Sequence, residues 1–374
     1  MNPLTIVLFI VGLGLLLAGA ELLVRGASRL AIAFGISPLI VGLTVVSFCT
    51  SSPELAVSAQ SALAGETAMA FGNVVGSNIF NILFILGLSA MVAPLLVKMQ
   101  LIRLDVPIAL AASVAVWVMG WSGSISRAAG ALLVIGVIAY TLFLIRQTKR
   151  EKNTVQTEFE GAFSRPAATP QQIISHIAFI AGGLVMLVIG SNWMVDGAVA
   201  MAKWLHVSDV LIGLTIIAAG TSLPEIATSV MASARGERDI AVGNVVGSCI
   251  FNLLAVLGLT ALLAPNGVPV PAGMLRVELP AMIAITAVCI PIFFIGMNVS
   301  RGEGAALFGF YIAFTIYLIL DAVQSPLAGI YGPVLIGIGI AGFIIFFAQA
   351  FRDYRRAKLS TRRSEETKDT LELR

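Results

Sequence analysis

Two carboxylates lie where an ionised group is hardest to keep. Glu54 and Glu225 each sit inside a long apolar stretch, and no lysine or arginine occupies a comparable depth. A charge in that setting costs several kcal/mol unless it has a partner, and by default it marks a functional site. A pair without a protein counter-ion calls for a cation or a proton. The plain structural alternative, a protonated glutamate bonded to a backbone carbonyl, suits a single residue better than a matched pair.

The residues just before them supply more oxygen. They are Thr50-Ser51-Ser52-Pro53 and Thr221-Ser222-Leu223-Pro224. A proline within a helix removes a donor and clashes with the carbonyl four residues back, here that of Cys49 or Gly220. Each helix is therefore predicted to kink, freeing carbonyls around 47–50 and 218–221. Non-helical backbone at membrane depth is tolerated only beside protein or a wet cavity. Carbonyls, hydroxyls and carboxylates are hard donors, which suit Ca2+, and Na+ by the same logic. The competing reading is a simple kink whose Thr and Ser bond back to the helix.

Asn73, Ser77 and Asn81 follow at intervals of four, on one helix face, and Asn244, Ser248 and Asn252 repeat the pattern. Asn73 and Asn244 read best as hydrogen-bonding glue between helices. Ser77, Asn81, Ser248 and Asn252 lie deeper and are the better ligand candidates. The pairs Gly72/Gly76 and Gly243/Gly247 permit close helix approach.

The elements that must position these groups are membrane helices. Of 374 residues, 58% are apolar and 11% charged, against roughly 25% charged in a soluble domain. Eleven stretches reach the length of about 20 residues that crosses the hydrocarbon: near 4–24, 37–60, 69–92, 104–121, 128–146, 172–195, 208–232, 240–263, 277–297, 304–322 and 331–350. With the N-terminus outside, 20 of the 23 Lys and Arg fall on the inner side, a strong positive-inside bias. The bias predicts a cytoplasmic C-terminus, and the membrane expected is the plasma (inner) membrane. Glu21 and Arg25 pair at i,i+4 near one span end, and Asp105, Asp196 and Asp321 lie near span ends where solvation is available. Residues 147–171 read as a cytoplasmic linker and 352–374 as a basic cytoplasmic tail, disordered from 360 onward. Three cysteines and two histidines have no metal-site spacing. Nucleic-acid binding has no support, and no HExxH sequence or nucleophile–base pair suggests an enzyme or a cofactor.

Shifted by 171 residues, positions 36–90 match 207–261 without a gap, with 27 of 55 identical. The identities include both Thr-Ser pairs, both Pro-Glu pairs and both Gly-Asn-Val-Val-Gly-Ser runs. The first span matches the sixth more weakly, through Gly12 with Gly183 and Gly19 with Gly190. A displacement of five helices turns the second copy over, and inverted repeats are an architecture of secondary transporters. The fold expected is an all-α polytopic membrane protein: a first five-helix repeat in 1–146, an inverted second in 172–322, and an eleventh transmembrane helix in 323–351.

The segments Gly42–Gly87 and Gly213–Gly258 resemble the two alpha-repeats of the cation/calcium antiporter superfamily, in its prokaryotic sodium/calcium exchanger branch. Gly220-Thr221-Ser222-Leu223-Pro224-Glu225 is similar to one family signature. Gly243-Asn244-Val245-Val246-Gly247-Ser248, with Asn252, is similar to another. The resemblance implies a Ca2+/Na+ antiporter with four ion sites in a diamond between the second, third, seventh and eighth spans. Glu54 and Glu225, with the carbonyls of Thr50 and Thr221, would take Ca2+. Ser51, Ser77, Ser222 and Ser248, with the carbonyls of Ser47 and Ala218, would take Na+. Asn81 and Asn252 would complete the centre, and the first and sixth spans would slide as a gate.

The sequence departs from that pattern in three places. Cys49 stands at the position of the signature Gly220. Asn252 stands where some relatives carry Asp, leaving two central carboxylates and arguing against potassium coupling. The eleventh span lies outside the ten-helix core. Proton/calcium exchange is the alternative within transport. A cation channel ranks lower, because the polar residues form one midmembrane cluster rather than a continuous lined pore.

Overall fold

The computed structural model describes residues 3–65, 67–158, 169–205 and 218–372. The chain is an all-α membrane protein. Helix α1 (Pro3–Phe34) leads into a broken span, α2 (Pro38–Thr50) and α3 (Ser52–Leu63), bent by 42°. Helices α4 (Met69–Val92) and α5 (Leu101–Gly120) follow, then α6 (Arg127–Glu158). The second half holds α7 (Pro170–Trp204), the short α8 (Ala218–Gly220) and α9 (Leu223–Ala234). Next come α10 (Arg238–Leu263) and α11 (Ala272–Phe294), α12 (Arg301–Ala322) and α13 (Ala328–Glu372). Among the described residues, nine helices are long and apolar enough to cross a membrane, or ten if the bent pair counts as one span. The stretch expected at 208–232 is described only from Ala218 onward.

The break between α2 and α3 falls where Pro53 predicts it. Ser51, its hinge, has φ −82° and ψ 5°; Ser222, ahead of α9, has φ −92° and ψ 9°. Both lie in the sparsely populated bridge region. Glycines at positive φ, Gly65 and Gly236, follow α3 and α9 at matching positions, where a glycine ends a helix at no steric cost. A second correspondence has no signature in the sequence. Helix α4 widens into a π-helical turn at Asn81–Leu86, and α10 does so at Asn252–Val256. Such turns are rare and gather at functional sites.

Helices α4 and α10 form the centre: 78% and 83% of their apolar windows are buried, against 11% for α12 and α13. Helix α10 crosses α2 closely. A Cβ on Gly243 would lie 2.8 Å from the Leu39 carbonyl, and one on Gly247 would lie 2.2 Å from Ser47 Oγ. Gly76 has no such neighbour among the described residues; the segment matching 39–47 in the second half, 210–218, lies almost wholly outside them.

Helices α1 and α7 pack along a seam of backbone. A Cβ on Gly19 or on Gly183 would meet the other's carbonyl at 2.7 Å, and Gly12 and Gly190 face each other the same way at 2.9 and 2.7 Å. Two short antiparallel ladders tie loops of one half to the other, Leu95 with Val299 and Ser124 with Pro269.

Ion pairs gather at one end of α1. Glu21 pairs with Arg25 and takes Arg235 at 2.6 Å. Ser28 Oγ donates to Glu237 at 2.6 Å, and Lys98 meets Asp239 at 2.6 Å. The repeat-mates of Glu21 and Arg235 are Asn192 and Ala64, which cannot form the same ion pair.

The stretch read as a linker, 147–171, is helical at both ends, up to Glu158 and again from Pro170, with residues 159–168 outside those described. A capping box explains the second start: Thr169 Oγ1 accepts from Gln172, whose side chain accepts from the Thr169 amide. The tail expected to be disordered continues α13 to Glu372; its Arg, Lys, Glu and Leu favour helix even without an apolar face. Asp105 is not solvated. It is fully buried and accepts from Tyr140 Oη at 3.0 Å. It ends a π-helical turn, Leu101–Asp105, which spacing did not reveal.

Candidate functional site

The two breaks bring the carboxylates inward from opposite halves. Glu54 and Glu225 each fall in the first turn of the helix that follows a break. The partial positive charge of a helix N-terminus favours an anion there. Both are buried to within 1% of full enclosure. Neither has a lysine or arginine partner among the described ion pairs, which lie at the rim.

Each carboxylate instead accepts a hydroxyl from the other half. Ser222 Oγ donates to Glu54 Oε1 at 3.0 Å, and Ser51 Oγ donates to Glu225 Oε1 at 3.1 Å. Ser77 Oγ lies 3.4 Å from Ser222 Oγ, while its repeat-mate Ser248 Oγ has no partner. The remaining oxygens, Glu54 Oε2 and Glu225 Oε2, are buried without a hydrogen bond. The same holds for both amide atoms of Asn81 and of Asn252, at the starts of the two π-helical turns. Buried polar atoms are almost always paired. A group of orphans drawn from both halves fits a cation held by oxygen donors.

The remaining sequence-predicted residues divide. Thr50 is fully buried and its hydroxyl donates to Asn244 Oδ1 at 3.0 Å; Thr221 donates to Asn73 Oδ1 at 3.3 Å. Ser47 is buried, but its hydroxyl serves helix packing, donating to Gly42 O at 2.6 Å with Asn244 O 3.1 Å away. Its carbonyl already accepts the Ser51 amide at 2.9 Å. Ala218, half-buried, opens α8. Asn73 and Asn244 act as interhelical glue, as their spacing suggests: Asn73 Nδ2 donates to Ser58 at 3.1 Å and Asn244 Nδ2 to Ser229 at 2.9 Å. Ser52, on the outer side of the break, bonds back to the Phe48 carbonyl at 2.7 Å. Ser58 and Ser229 were missed by sequence reasoning, although they are identical at the 171-residue offset.

Among the described residues no three His, Cys, Asp or Glu side chains come together. Hydroxyl, amide and carboxylate oxygen dominate the site, which suits hard cations. A cavity of about 590 Å³ lies elsewhere, on an apolar face of α5 lined by Pro107, Leu110 and Val114. A membrane would cover it with lipid, and it has no part in the polar chemistry.

Comparison with known proteins follows the same outline. The family described as sodium/calcium exchanger protein matches residues 4–146 and 175–320. The chain is 37% identical over 313 residues to a putative antiporter, CaxA, of Alkalimonas amylolytica, covering 83% of this chain and 97% of that one. It is 40% identical to the inner membrane protein YrbG of Escherichia coli, over 69% of this chain and 80% of that one. It is 30% identical to the sodium/calcium exchanger MaX1 of Methanosarcina acetivorans, over 83% and 97%. Among solved structures, it superposes on the sodium-calcium exchanger NCX_Mj soaked with Na+ and Ca2+. The TM-score is 0.71 at 28% identity, with 87% of this chain and 99% of that one covered.

Proposed function

This chain belongs to the sodium/calcium exchanger protein family, and on that premise we propose that it is a secondary-active antiporter exchanging Ca2+ for Na+ by alternating access. The observation that carries the reading is the reciprocal pair of buried carboxylates, each bonded by a serine of the other half and each left with one unpaired oxygen. Two negative charges in a water-poor centre must be neutralised before the protein can change face. One Ca2+ does this on Glu54 and Glu225. Two or three Na+ do it on a wider set that adds Ser51, Ser77, Ser222 and Ser248, with Asn81 and Asn252 between. Neutralisation as the condition for crossing makes the two loads exchange rather than leak.

The same reading gives the frame. Two five-helix repeats of opposite orientation enclose the site, with α13 as an eleventh span. The chain lies in the inner membrane with its N-terminus outside and its basic C-terminus in the cytoplasm. Helices α1 and α7, joined along their glycine seam, are the mobile pair.

Proton coupling would need only the carboxylates. It would leave the unpaired Ser248 hydroxyl and the amides of Asn81 and Asn252 without a task, which favours Na+. The test is ⁴⁵Ca2+ uptake into proteoliposomes with outward Na+, K+ and H+ gradients imposed one at a time. Uptake that follows the Na+ gradient alone is expected. Uptake that follows only H+ would reassign the counter-ion, and uptake indifferent to all three would indicate a channel.

A further inference from the structure

The hydrogen bonds beside the two breaks form a pair of relays. Thr50 Oγ1 donates to Asn244 Oδ1 at 3.0 Å, and Asn244 Nδ2 donates on to Ser229 Oγ at 2.9 Å. At the matching positions, Thr221 Oγ1 donates to Asn73 Oδ1 at 3.3 Å and Asn73 Nδ2 to Ser58 Oγ at 3.1 Å. Ser229 lies four residues after Glu225 and Ser58 four after Glu54, so each shares a helix face with its carboxylate. Each relay therefore runs from the break of one half, through the central helix of the other, to the helix that bears that half's carboxylate. It runs parallel to the direct bond made one residue later, Ser51 to Glu225 or Ser222 to Glu54.

The two connections differ in one respect. The direct bond uses a carboxylate oxygen and a serine hydroxyl, the atoms for which a bound cation competes. The Asn244 bonds use none of the carboxylate atoms, although the Thr50 hydroxyl also lies within reach of Glu225. The relay can hold the break in place while the direct bond is exchanged for an ion. An asparagine amide suits the task because one end accepts and the other donates; a carboxylate in its place offers no donor, and an aliphatic side chain offers neither. We propose that Asn244 and Asn73 are positioning residues for the ion site, holding Thr50 and Thr221, and the hinge serines beside them, in ligand position whether or not an ion is bound. This rests on the exchanger reading of the site. The Asn244 relay is the stronger one. Thr50, Asn244 and Ser229 are all fully buried, whereas Asn73 and Thr221 are half-buried and their bonds are longer.

The test is a double-mutant cycle of Thr50→Val, which keeps shape and carbonyl but loses the hydroxyl, and Asn244→Leu, with Thr50→Ser as the conservative control. It is read twice, in the Ca2+ concentration for half-maximal Na+-driven uptake and in the thermal midpoint of the ion-free protein. Thr50→Val is expected to raise the half-maximal concentration about five-fold, the scale of one lost buried hydrogen bond, and Asn244→Leu, which also loses the Ser229 bond, by at least as much, with the maximal rate within about two-fold. The double substitution should add nothing beyond Asn244→Leu, which already removes the Thr50–Asn244 bond, and Thr50→Ser should recover most of what Thr50→Val loses. Additive changes in midpoint would overturn the relay. Coupled midpoints with wild-type half-saturation would overturn the positioning role and leave the amide as packing alone. Absence of Na+-driven uptake in the wild type would instead count against the exchanger reading. The positioning role is then read in equilibrium ⁴⁵Ca2+ binding to the same variants in detergent, where unchanged affinity overturns it.

Discussion

Glu54 and Glu225 have near-isosteric glutamine substitutes that keep one oxygen but lose the charge. An amide there still accepts the serine hydroxyl of the other half, so the local hydrogen bond survives while the neutralising pair does not. Glu54→Gln or Glu225→Gln is therefore expected to lower Ca2+ exchange by about 100-fold or more, the order of a lost buried charge partner. The variant should elute from size-exclusion chromatography as the wild type does. Uptake at the wild-type rate in either variant would remove both carboxylates from the mechanism. The mismatch between Cys49 and its repeat-mate Gly220 gives a second, directional prediction. Cys49 occupies the place of Gly220, and a Cβ on Gly220 would lie 2.5 Å from Val195 Cγ2. Cys49→Gly should be tolerated, losing the helix propensity of one residue, about 0.5 kcal/mol, and the contacts of one half-buried side chain. Gly220→Cys should force Val195 aside and lower both the thermal midpoint and the uptake rate. Equal effects of the two swaps would contradict the packing described at Gly220.

The α1–α7 seam is an arrangement of backbone against backbone, and its tolerance is sharply local. Gly183 faces the Gly19 carbonyl at 2.7 Å, whereas Gly182, one residue earlier, has open space around its Cβ position. Gly183→Val is expected to destabilise by about 2 kcal/mol through overpacking and to block transport, with Gly182→Val near wild type in both thermal midpoint and uptake. How far such elements were legible from sequence depended on the signal. Pro53 and Pro224 announced the breaks, because a proline ring has a fixed consequence for the helix before it. The glycine matches Gly12 with Gly183 and Gly19 with Gly190 were visible as repeat-mates. The partners in space are crosswise, Gly12 with Gly190 and Gly19 with Gly183, and that depends on how two helices cross. The π-helical turns at Asn81 and Asn252 left no trace in residue type. Asp105 was misplaced because its distance from a span end said nothing of Tyr140, 35 residues away. The polar half of the site was legible because apolar surroundings make each oxygen conspicuous; the pairing of those oxygens across the halves was not.

At the scale of the whole protein, coupling and charge are one question. If three Na+ balance one Ca2+, each cycle moves one net charge, and uptake into proteoliposomes should change when a K+ diffusion potential is imposed with valinomycin. Uptake indifferent to the potential would fit two Na+ per Ca2+ instead. The centre also settles what each half is worth alone. Glu54 takes its hydroxyl from Ser222 and Glu225 takes its hydroxyl from Ser51, and the flanking loops pair across the halves as well. Neither half therefore contains one finished site. Residues 1–158 and 169–374, expressed together as two separate chains, are expected to assemble in the membrane and restore exchange, while either chain expressed singly transports nothing. Read as history, the same reciprocity describes a gene that doubled: on the inverted arrangement proposed above, a half-length ancestor could have built this centre only by meeting a second copy of itself.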